Sequence, residues 1–103
     1  MSFKVSGSPA QAAVSAPVNS VKPAISGIPQ VGVVLTAFDG VWSPGGIFTY
    51  QWKNAGVDIG GETGKTYTPV VGDVGDVLSV VVTATNTEGN ASATSANSAA
   101  VLA

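Results

Sequence analysis

Taken as a string of polar and apolar positions, the chain keeps a period of two along its longer apolar stretches. The clearest case is "GDVGDVLSVVVTATN", Gly72–Asn86. Here Leu78, Val80, Val82 and Ala84 fall on one face, and Ser79, Thr83 and Thr85 on the other. That alternation predicts a strand with one face on a core. "IFTYQWKN" sets Phe48, Tyr50 and Trp52 against Thr49, Gln51 and Lys53, and "VGVVLTAF" puts Val33, Leu35 and Ala37 on one side. Shorter strands are predicted in "KPAISG", where Pro23 suits an edge, in "AGVDIGGETG", and in "KTYTPVV", where Tyr67 turns inward and Pro69 ends the run. "ASATSANSAAV" reads as a closing strand, while "DGVWSPGG" around Trp42 and "NTEGN" read as turns. No stretch holds a helical period.

The corner ahead of the longest strand has its own chemistry. Asp73 can bond its own backbone, and Gly75 can adopt a conformation closed to most residues, so a sharp turn is expected there. About seven short antiparallel strands, with turn signals between them, predict an all-β sandwich. Its core is expected to be shared by Leu35, Trp52, Tyr67, Leu78, Val80 and Val82.

Residues 1–21 differ from the rest. They are rich in small residues, carry Pro9 and Pro17, and hold only scattered apolar side chains. Such a segment cannot build a core alone, so it is expected to be an extended N-terminal arm ahead of a domain at 22–103. Phe3, Val5, Val14 and Val18 are its candidate contacts with a partner, their irregular spacing suiting several shallow pockets better than one strand face. Ala10-Gln11-Ala12 could pass for a signal-peptidase site, but "MSFKVSG" lacks the apolar core that must precede one, so no secretion signal is read.

Composition changes the picture mainly by removing chemistry. The 103 residues contain no cysteine, histidine or arginine, and the four basic residues are all lysine. The usual general base, the commonest transition-metal ligand and the fork that grips phosphate are therefore missing. A serine or threonine nucleophile has no convincing base, and the six acids are scattered through turns, Asp73 and Asp76 reading as turn residues. Asp58, Glu62, Asp73 and Glu88 are available oxygen ligands, but none forms a calcium-loop pattern. No catalytic residue, metal or cofactor is expected.

A net charge of −2 argues against nucleic acid. No apolar run approaches the roughly 20 residues of a membrane span. With 45% hydrophobic residues the chain is too apolar to be disordered. Charged residues make up only 10%, against about 25% in a typical domain, which fits a crowded assembly or protected exterior. Asn90-Ala91-Ser92 is a glycosylation sequon that reads as part of a hairpin turn. Lys22 and Asn97 could meet in a first-to-last strand pairing and form an isopeptide bond, but no buried acid is evident to assist.

The stretches "PAISGIPQVG", "LTAFDGVWS", "YQWKNAGVDI", "TYTPVVGDVGDVLSVVVTATN" and "ATSANSAAV", in that order, resemble an immunoglobulin-like sandwich. More narrowly, they resemble the Ig-like modules repeated in bacterial surface proteins and carried singly on tailed-phage virion proteins. The resemblance implies that Trp52 is the central core tryptophan. It puts Leu35 and Val80 where antibody domains carry their disulfide cysteines, and it leaves the usual corner tyrosine missing near Leu78.

The resemblance also implies polar or small residues where this chain has Ile28, Val33, Val34, Val41, Val70 and Val71, and a polar one near Phe38. Strand alternation cannot bury both Val33 and Val34 in one core, so part of this set is expected outside as an interface or a dock for the arm. Three roles follow as expectations. The first is a virion protein, a capsid decoration, cement or tail-associated subunit, bound to capsid or tail proteins or to further copies of itself. The second is an adhesin repeat at a bacterial cell surface, since "SAPVNSV" echoes "TSANSAAV". The third is a weak module for host cell-surface glycans, using Trp42, Tyr50 or Tyr67.

Overall fold

The computed structural model describes residues 15–103. Phe3, Val5 and Val14 lie outside the described residues. The strands are β1 Val18–Val21, β2 Ala24–Ser26, β3 Leu35–Phe38, β4 Val41–Ser43, β5 Ile47–Asn54, β6 Val57–Asp58, β7 Thr66–Tyr67, β8 Leu78–Asn86 and β9 Gly89–Thr94. The one helical element described is a single 3-10 turn at Val71–Asp73. Strand pairs are antiparallel and form a four-stranded sheet in the order β9-β8-β5-β6, a three-stranded sheet β2-β3-β7 and a two-stranded sheet β1-β4.

Two of these strands stand where other structure was expected. Val18–Val21, expected in the arm, pairs with Val41–Ser43, expected as a turn. The pairing runs on: Val21 opposes Val41, and Ala24 then opposes Phe38 in the same register. β1 and β2 are thus one strand, interrupted where Pro23 has no N–H to give and where Gly40 turns with φ +86°. A Cβ on Gly40 would collide with the Val21 carbonyl oxygen, so the close approach of the two segments needs glycine.

The sheets pack face to face. Leu35 and Ala37 of β3 and Tyr67 of β7 meet Trp52 of β5 and Leu78 and Val80 of β8, with Val101 closing the cluster. Trp52 and Tyr67 stack with ring centres 5.7 Å apart. A second cluster joins Trp42 of β4 to Val82 and Ala84 of β8, with Phe48, Tyr50, Ala91 and Ala93 packed against it. Leu35, Trp52, Leu78, Val80 and Val82 are fully buried and Tyr67 nearly so. At about 25 cal/mol per Å2 of apolar surface removed from water, these two clusters are the main favourable term in folding.

The closing strand ends at Thr94, short of the stretch expected to form it, for a visible reason. After Thr94 the chain stays beside β8, but the Val80 N–H bonds the Ser95 hydroxyl and the Leu78 N–H bonds the Ser98 hydroxyl, each at 3.0 Å. In return, the N–H groups of Ser95 and Ser98 bond the carbonyls of Val80 and Leu78. Three residues on one side match two on the other, so serine side chains replace part of the backbone ladder, as in a bulge. Further on, outside the named strands, Val101 bridges Val74 and Leu102 bridges Gln30, both in parallel.

Candidate interaction surfaces

Two polar nodes pin the loops that join the sheets. At the corner, Tyr67 donates its hydroxyl to Asp73 Oδ2 at 2.5 Å, the Val70 N–H bonds the same oxygen at 3.0 Å, and Asn54 Nδ2 donates to Oδ1 at 2.8 Å. Burial pushes the Asp73 carboxyl up, but these three donors outweigh it and hold the group below the usual carboxylate range. The Tyr67 phenol is driven well up by burial and by the carboxylate it faces. Gly75, at φ +87°, completes the turn. A phenol-to-carboxylate bond from Tyr67 therefore ties down this corner.

The second node is Asp39. Tyr50 donates to its Oδ1 at 2.7 Å and Lys65 Nζ at 2.8 Å, while the Trp42 indole N–H bonds the Asp39 carbonyl at 2.7 Å. Burial pushes the Asp39 carboxyl up; the bonds from Lys65 and Tyr50 and the Lys65 charge hold it lower than usual. The Lys65 ammonium, raised mainly by its bond to Asp39, also sits 5.4 Å from the centre of the Tyr50 ring. Every group in the node is engaged in holding β3, β4 and β5 together.

The residues weighed for chemistry are spread apart or occupied. Among the described residues no group of three or more acids comes together to hold a metal ion. Asp58 pairs with Lys53 at 3.3 Å, and the Asp73 carboxylate already has three donors. Of the aromatic rings considered for stacking on sugar, Trp42 and Tyr67 are buried and Tyr50 is half-buried. Asn97 lines a shallow groove of about 260 Å3 with Pro23, Ala24 and Ile25, beside the free edge of β2.

What the fold does present is apolar surface. Ile28, Val34, Phe38, Val41, Val70 and Val71 are all exposed, Val71 at 78%, and only Val33 of that set is half-buried. Val18 is exposed on β1. Val21 and Val41 oppose one another across β1–β4, and Ala24 and Phe38 across β2–β3, so one flank carries adjoining apolar positions. A second group lies around the 3-10 turn, where Val70, Val71, Val74 and Leu102 are exposed. Val21, Val74, Leu102 and Ile47 were not singled out from sequence, because they follow strand ends and bridges that the alternation pattern does not fix. No protein-family model, no curated protein and no solved structure matches the chain.

Proposed function

We propose that this chain is a non-enzymatic structural and binding module with an immunoglobulin-like build, working as a small phage virion protein. In this reading it is a capsid decoration, cement or tail-associated subunit, held through the segment ahead of β1. The immunoglobulin-like assignment is supported by strand order. β9-β8-β5-β6 corresponds to a G-F-C sheet with an added C′ strand, and β2-β3-β7 to A-B-E, with buried Trp52 on strand C. Leu35 and Val80 then fall on B and F, the strands that antibody domains join by a disulfide.

The observation that carries the binding role is the set of valines and isoleucines left outside a sandwich whose core is already filled. Apolar patches of this kind mark interfaces. Because β1 belongs to the fold, the proposed anchor is the part of the chain before Ser15, and Val18 serves the sandwich flank. Mass determination of the proteins in the native particle tests this. An independent band of this length supports the virion role, and its absence from the particle refutes it.

A bacterial surface repeat is the second reading. It is favoured by one specific observation: Ala13, Ser15, Ala16 and Val21 match Ala93, Ser95, Ala96 and Val101 at one constant spacing, as the end of a preceding repeat would. Recovery of the sequence only within a much longer cell-surface chain would establish that reading.

A further inference from the structure

The two layers of the sandwich turn unlike faces outward. On β5 and β8 the outward positions pair Thr49 with Thr83, Gln51 with Val81 and Lys53 with Ser79, and Ser92 of β9 meets the Thr83 hydroxyl at 2.7 Å. Apart from Ile47 and Val81, that face is polar. The other layer reverses this. Ala37 and Trp42 turn inward, so Thr36, Phe38, Val41 and Ser43 turn outward. Register carries the pattern to the partner strands: Val18 opposes Ser43, Val21 opposes Val41, Ala24 opposes Phe38 and Ser26 opposes Thr36. Val34, two places ahead of Thr36, extends the row.

Val18, Val21, Ala24, Val34, Phe38 and Val41 are all exposed on this one face. Together they offer on the order of 500 Å2 of surface, in the upper part of the range for the largest apolar patch on a monomer. Two such faces in contact would bury roughly 1,000 Å2, the size at which specific interfaces begin, with Ser26, Thr36 and Ser43 adding a rim. None of these outward positions carries a charge. A face of this kind meets its own copy without setting like charges against each other.

Its relief also fits itself. Phe38 stands up from β3, and directly opposite on β2 the small Ala24 leaves a low spot. A two-fold axis between these positions sets each ring over the other copy's alanine, as an isologous contact requires. We infer that this face packs against the same face of a second copy, side by side about a two-fold axis, with the Phe38 ring of each chain resting on Ala24 of the other. The inference rests on reading the exposed valines as an interface and names the partner. Its test uses the purified chain, so it can fail while the protein is still found in the particle.

Sedimentation equilibrium of the full chain, from low micromolar to submillimolar, should show a reversible rise from the mass of one chain to that of two. Ala24→Lys puts a charge at the centre of the face without entering the core, and should weaken association by about tenfold or more. Phe38→Ser should do the same, and replaces it if Ala24→Lys unfolds. Ile47→Lys, at a 76% exposed position on the opposite layer, should associate like the parent. A one-chain mass throughout, a mass that climbs past two chains, association unmoved by Ala24→Lys and Phe38→Ser, or equal loss with Ile47→Lys would overturn the inference.

Discussion

Tyr67 gives its hydroxyl to Asp73 across the corner that joins the two sheets, and that carboxylate also takes the Val70 N–H and the Asn54 amide. A buried carboxylate held below its usual pKa stabilises the fold above the unfolded-state value of about 3.9. The contribution is lost as pH falls through the lower folded-state value. Asp73→Asn should therefore lower stability at pH 7 and flatten the acid limb of a stability-against-pH profile measured by urea unfolding. Tyr67→Phe should cost about 1.5–3 kcal/mol at pH 7, the range for a hydrogen bond to a charged group. An unchanged acid limb in Asp73→Asn would contradict this account of the corner.

Trp52 is fully buried between the sheets, stacks on Tyr67, and sends its indole N–H to the Gly64 carbonyl at 2.8 Å. Trp52→Ala should cost about 3–5 kcal/mol by leaving a cavity. Trp52→Phe should cost less, since it keeps most of the volume and loses the hydrogen bond. Chemical denaturation of both variants checks the order.

Ser95 and Ser98 stand in for backbone acceptors along β8. Ser95→Ala strands the buried Val80 N–H and should cost about 1–3 kcal/mol. Ser92→Ala removes only an exposed hydroxyl contact with Thr83 and should stay within about 0.5 kcal/mol of the parent. Equal effects in thermal unfolding would show that the serine ladder is not what holds the closing segment.

Removal of residues 1–14 should leave the melting temperature nearly unchanged. Removal of residues 1–21 takes away β1 with its pairing to β4, Asn19 opposite Trp42 included, and should lower it clearly. Identical melting temperatures for the two truncations would show that β1 contributes nothing to the domain.

The long strands were legible because alternation is strict where one face is buried on each side. Leu78, Val80 and Val82, and Phe48, Tyr50 and Trp52, needed only a count of two. β4 was hidden because three residues between Gly40 and Pro44 carry every mark of a turn. What makes them a strand is pairing with β1, some twenty residues earlier in the sequence, which no local pattern records. The end of β9 was hidden for a different reason: the run of small residues continues past Thr94, but serine hydroxyls take over the ladder. Asp73 was readable as a turn residue, whereas its bond to Tyr67 depends on the fold bringing β7 and the 3-10 turn together.

The four lysines permit one direct test of the proposed anchoring. Lys4 lies in the segment ahead of β1, while Lys53 and Lys65 are engaged with Asp58 and Asp39 on the sandwich. Amine-reactive crosslinking of the native assembly, read by peptide mass spectrometry, should join Lys4 to a lysine of a different protein. Lys4 joined only to lysines of its own chain would contradict attachment through the N-terminal segment.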